Sequence, residues 1–141
     1  MNETISLLGE VELKLNDVVV VSKKNLIVQV GKNFLANAVI NNSTTPFNAV
    51  AIGTGTTAAV ITDTALQTEI LRTSFDSATI ANNVITLVKN YLPGVGTGPI
   101  SEAGIFNNVV SGGTMLSHIV FTTIGKQDQD RLLLTWTITV G

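Results

Sequence analysis

At the C-terminus, Leu132, Leu134, Trp136, Ile138 and Val140 alternate with Leu133, Thr135, Thr137 and Thr139. This period of two constrains the fold more than any other feature of the chain, because successive side chains change face only along an extended strand. The apolar side carries an indole and several large aliphatics, which read as an inward face. The Thr-rich side suits the outer face of a sheet, where a hydroxyl tolerates water and a branched Cβ favours extended backbone.

Strand-like segments punctuated by turns fill most of the chain. Ile5, Leu7, Val11, Leu13 and Leu15 sit among polar residues with Gly9 in their midst, which predicts one strand bulged at Gly9 or two short ones. Asn16-Asp17 is a turn. Val18 to Val21 is an unbroken β-branched run, which predicts a strand covered on both faces. Lys23-Lys24-Asn25 is a second turn, and Leu26 to Val30 extends again. Gly31 to Ile40 predicts a helix, with Phe34, Leu35, Ala38 and Val39 on one face, ended by Asn41-Asn42-Ser43 and Pro46. Phe47 to Ile52 reads as a strand. Thr62-Asp63 reads as the cap of one helical turn through Ala65-Leu66. Strands follow at Glu69 to Phe75, Ser77 to Ala81 and Val84 to Leu92, with Asn82-Asn83 as a two-residue hairpin turn. Pro93 to Pro99 is a loop. Ile100 to Val109 and Thr114 to Thr122 form a hairpin around Ser111-Gly112-Gly113, and Gly125 to Asp130 is a polar loop. Short strands at this spacing predict a mainly β fold, an antiparallel β-sandwich or barrel with one short helix. Residues 1–141 read as a single β domain, with residues 1–25 either an N-terminal arm or a strand pair.

Composition narrows the function. The chain has no Cys, which removes disulfides, zinc–thiolate sites and Cys nucleophiles. Its net charge of −2, with 13% charged residues, lacks the clustered Lys and Arg that phosphate binding needs, so no nucleic-acid partner is expected. No apolar run approaches the ~20 residues of a membrane helix, and Met1-Asn2-Glu3 opens no signal peptide. Hydrophobic residues make up 45% of the chain. That fills a β core, and it also fits a surface covered by other subunits.

The chemistry-bearing patterns are weak. Gly53-Thr54-Gly55-Thr56-Thr57 has the glycines of a phosphate loop, but no Lys lies between Lys32 and Lys89, so it reads as a plain loop. His118 is the single histidine. A triad needs an activated Ser and an orienting acid, and nothing in the sequence selects Ser117 or any Asp for those roles. A metal site built on His118 would need copies from several chains around a symmetry axis. Asp128-Gln129-Asp130 is a fragment of a calcium loop without its other ligands and reads as a turn. Glu102, in an apolar strand, reads as a structural carboxylate that binds backbone amides or pairs with Lys89, Arg72 or Arg131. Spacing does not gather Asp76, Glu69 and Glu102 into an acid–base pair. Asn2-Glu3-Thr4 and Asn41-Asn42-Ser43-Thr44 match glycosylation acceptors, which matter only in a secretory pathway. Trp136 and Tyr91 alone do not make a sugar-stacking platform. No residue takes a catalytic, cofactor-binding or metal-binding role, and no cofactor is expected.

The ordered series Ser101-Glu102-Ala103-Gly104-Ile105-Phe106-Asn107, Gly112-Gly113-Thr114-Met115-Leu116, Phe121 and Leu134-Thr135-Trp136-Thr137-Ile138 resembles small structural proteins of tailed-bacteriophage virions. Asn25-Leu26-Ile27-Val28 with Gly31, Ile52-Gly53-Thr54-Gly55-Thr56-Thr57 and Asp63-Thr64-Ala65-Leu66 extend the resemblance over Asn25 to the C-terminus. It implies a virion component assembled in the host bacterial cytoplasm, and no enzyme. The preferred role is a capsid decoration or cement protein, a homotrimer bound to the major capsid protein. A tail, baseplate or fibre-associated protein bound to a tail protein is the alternative, and a tail-borne hydrolase is the least favoured.

Overall fold

The C-terminal alternation lies at the centre of a sheet. A computed structural model describes residues 5–41 and 45–141. In it β1 (Leu7–Leu15), β2 (Val18–Lys24), β6 (Ser77–Ala81), β7 (Val84–Tyr91) and β10 (Leu132–Val140) form one antiparallel sheet in the order β2-β1-β10-β7-β6. The second sheet has the order β3-β9-β8-β4-β5, from β3 (Leu26–Ile27), β4 (Ala49–Gly53), β5 (Glu69–Ser74), β8 (Gly98–Phe106) and β9 (Met115–Lys126). The helix α1 spans Gln29–Asn41. The chain is thus mainly β, and its two sheets pack as a sandwich and do not close into a barrel. No described helix is long and apolar enough to cross a membrane.

Leu132, Leu134, Trp136 and Ile138 are all buried and alternate with half-buried neighbours, as the pattern requires. They pack against Val11 and Leu13 of β1, Leu87 and Tyr91 of β7, and the apolar residues of the facing sheet. β1 pairs with β10 from Leu7↔Val140 to Leu15↔Leu132, so residues 7–24 are a strand pair of this sheet. The ladder runs unbroken through Gly9↔Ile138, so the bulge expected at Gly9 is absent. The glycine has a packing reason instead. A Cβ there would overlap the side-chain amide of Asn25; with O and N assigned from the hydrogen-bonding groups around it, that amide donates to the Gly9 carbonyl at 2.7 Å and accepts from Trp136 Nε1 at 3.2 Å. The irregularity falls between Leu13 and Lys14, where β2 carries an extra residue at Val20.

Other expectations need correction. Val18 to Val21 is not covered on both faces. β2 is an edge strand, and Val18, Val19 and Val20 are exposed while Val21 enters the core. Lys23 and Lys24 belong to β2, so the break is at Asn25 alone. Val30 is already helical, and Val39 is 82% exposed, because Gly31 is the one buried residue of the described helix and brings it against the Leu116 backbone. Residues 62–66 form turns and bends without a helix. The described residues form ten strands where about nine were expected. Asn16 and Asp17 (φ 49° and 69°) and Asn82 (φ 54°) hold the left-handed backbone of their tight turns, the conformation Asn and Asp best tolerate. The acceptor pattern at residues 2–4 and the Asn42-Ser43 break lie outside the described residues.

Candidate functional site

Strand alternation decides which side chains can meet. Ala103 and Ile105 of β8 enter the sandwich core, so Glu102, Gly104 and Phe106 face the opposite side of the second sheet. His118 stands on β9 opposite Gly104, and Glu102 is paired with Gly53 of β4. The segment from Thr54 to Thr68 lies over this face. Its Leu66 packs with Phe106, Met115, Ala49 and Ala51 in a second, smaller apolar cluster.

Glu102 is fully buried, and its carboxylate is surrounded by donors. Oε2 accepts from the backbone N–H of Gly55 (2.7 Å) and Thr68 (2.8 Å). Oε1 accepts from the N–H of Gln67 (2.9 Å) and lies 2.9 Å from His118 Nε2. The other ring nitrogen, Nδ1, lies 2.7 Å from Asp63 Oδ2, which also accepts from the Val60 N–H at 2.9 Å. The His118 side chain is fully buried, while Asp63 is partly open to solvent. Burial alone pushes the Glu102 carboxyl up, but the N–H groups of Thr68, Gln67, His118 and Gly55 outweigh it and hold it below its ordinary value. The glycine-rich loop Gly53–Thr57 does bind an anion, and that anion is the chain's own carboxylate.

The loop reaches Glu102 because its glycines have no side chain. A Cβ on Gly53 would sit 2.3 Å from the Thr68 carbonyl oxygen and 2.7 Å from Glu102 Oε2. Gly53→Ala must displace backbone and is expected to cost about 1–3 kcal/mol. Denaturant unfolding beside the unaltered chain measures it, and an unchanged midpoint would contradict this packing.

Beside the array lies an open cleft of about 440 Å³, bounded by Lys23, Lys24, Thr56, Ala58 and Ala59. The Lys23 ammonium donates to the Val120 carbonyl at 2.6 Å. Ser117 projects to the other face of β9 and donates to the Leu26 carbonyl at 2.9 Å, so it is not joined to His118. Both ring nitrogens of His118 face carboxylate oxygens, which leaves neither to take a proton from a hydroxyl nucleophile. Among the described residues, no group of three or more His, Asp or Glu is arranged to hold a metal ion.

None of the cationic partners considered for Glu102 reaches it. Arg72 forks onto Glu69 (2.7 and 3.1 Å), lies 3.8 Å above the Phe106 ring, and donates to the carbonyls of Asn108 and Gly112. It staples the tip of the β8–β9 hairpin to β5. Lys89 pairs with Asp76 at 3.1 Å and Arg131 with Asp17 at 3.4 Å. Asp128-Gln129-Asp130 is a turn, as expected: Asp130 accepts from the Gln127 N–H and from the Asn16 amide, which ties this turn to the β1–β2 turn. Sequence reasoning missed Asp63 as a partner of His118 and treated the glycine loop, Glu102 and His118 as separate features. Compared with protein-family models, curated proteins and solved structures, the chain matches none.

Proposed function

We propose that this chain is a structural protein of a tailed-bacteriophage virion, a decoration protein that binds the major capsid protein and strengthens the shell. The observation that carries the reading is apolar surface beyond what the fold itself uses. Val39 and Ile40 of α1 are each 82% exposed, Val110 is 79% exposed, and Val18, Val19 and Val20 lie together on β2. Apolar surface in a chain with few charges is what subunit contacts bury. The resemblance to virion proteins through the β8, β9 and β10 residues supports the same reading. The polar cluster agrees with it, since its members are spent on one another and on backbone amides.

The mechanism is adhesion. Each copy buries area against a shell protein and against copies of itself, as a trimer over local three-fold positions. Contacts that exist only in the intact shell raise the barrier to its rupture. The test is gold-labelled antibody imaging of purified particles, with particles lacking the protein heated alongside. Label over the head, and rupture of the depleted heads at lower temperature, is the expected result. Label along the tail or at its base would replace the capsid role with a tail or baseplate role, and particles without the protein would overturn the virion reading.

A further inference from the structure

The two sheets have four edges, and three of them carry features that discourage another strand. β2 ends in Lys23-Lys24 and has the irregularity opposite Leu13/Lys14. β3 is two residues long and runs almost directly into α1. β5 holds Glu69 and Arg72 and has a register shift at Ile52/Gly53. Charges, bulges and short length are the usual ways in which an edge is blocked. β6 has none of them. Ser77-Ala-Thr-Ile-Ala81 contains no charge and no proline, pairs regularly with β7, and is exposed at every residue. Beyond that ladder, residues 77–81 make no backbone hydrogen bond among the described residues. Ile80 shares the core-side face with Ile85 and Leu87 through its register, yet it is 76% exposed.

We infer that β6 is a self-association edge, where a second copy adds its own β6 in antiparallel register about Thr79 to make one sheet continuous across two chains. The geometry selects the occupant. In that register Ala78 of one copy faces Ile80 of the other on the core-side face, small against large, and Thr79 faces Thr79. Asp76, which precedes the strand, is brought toward the other copy's Asn82, whose amide can donate to it. A parallel pairing would instead bring the two Asp76 carboxylates together, and like charges directly opposite destabilise a strand pair. The contact is isologous, so it closes at two copies and cannot grow into a fibre. A trimer built on other surfaces can carry it as well, because β6 is one edge alone.

The inference stands apart from the virion reading. A chain that fails to associate overturns it and leaves particle labelling untouched. The test uses the absence of Cys from the full chain. Thr79→Cys is expected to cross-link into a disulfide dimer under mild oxidation, because the two Thr79 positions face each other across the two-fold. Ser22→Cys on β2 is the control and is expected not to cross-link at the same rate. By sedimentation, Thr79→Lys and Thr79→Glu are each expected to lose the two-fold association of the unaltered chain, and an equimolar mixture of the two to regain it. Equal cross-linking of the two cysteine variants, an unaltered chain with no two-fold association, or a Thr79→Lys chain that associates as before would each overturn the inference. If the lysine variant does not fold, the cysteine pair decides alone.

Discussion

Trp136→Ala is expected to destabilise the fold by about 3–5 kcal/mol, the range for deleting a large buried aromatic. Trp136 is fully buried at the middle of β10, paired with Val11 on one side and Leu87 on the other. Its loss opens a cavity at the centre of the first sheet and leaves the Asn25 amide without the indole N–H. Trp136→Phe keeps much of the volume and is expected to cost less. Denaturant unfolding of both variants measures the effect. An alanine variant with an unchanged midpoint would show that this face of β10 is not the core.

Glu102→Ala is expected to cost a similar amount, about 3–5 kcal/mol, because removing one member of a buried charged cluster leaves its partners unpaired. Here those partners are His118 and the N–H groups of Gly55, Gln67 and Thr68. Glu102→Gln keeps one acceptor oxygen and should cost less. The pH dependence has a definite sign. The folded carboxyl is held below its ordinary value of 4.5, so the unfolded chain takes up the proton first as acid is added. The stabilisation is complete above the ordinary carboxylate range and is lost as pH falls through the lower folded value. Unfolding midpoints measured from neutral pH into acid should therefore fall more steeply for the unaltered chain than for Glu102→Gln. Parallel profiles would show that Glu102 is not held in its ionised form.

The fold was legible where one local pattern fixed the outcome. The alternation of β10 set its buried face without knowledge of its neighbours. Asn16-Asp17 after β1 announced a turn, and Asn82-Asn83 after β6 announced a two-residue hairpin turn, with Asn82 in left-handed backbone. The polar cluster was legible only in fragments. Glu102 stood out as a carboxylate among apolar residues, and Gly53 and Gly55 stood out as a loop. Their meeting depends on a crossing between positions 47 residues apart, which no local period encodes. Asp63 was misread for the same reason. It was read as a helix cap accepting backbone N–H groups; its Oδ2 does accept the Val60 N–H, but no helix forms there and the same oxygen meets His118, 55 residues away. The Val18–Val21 run shows the opposite error. Four β-branched residues in a row look buried, but an edge position with an extra residue turns three of them to solvent.

The Asp63–His118–Glu102 cluster clasps the 54–68 segment to the second sheet. Amide hydrogen exchange at Gly55, Gln67 and Thr68 measures this clasp. These residues lie outside regular secondary structure, and each donates its N–H to Glu102. All three are expected to exchange as slowly as the β8–β9 ladder in the unaltered chain, and Glu102→Ala is expected to release them while the β1–β10 ladder stays protected. Exchange in the unaltered chain as fast as at Gly112 and Gln129 in the exposed loops would contradict it.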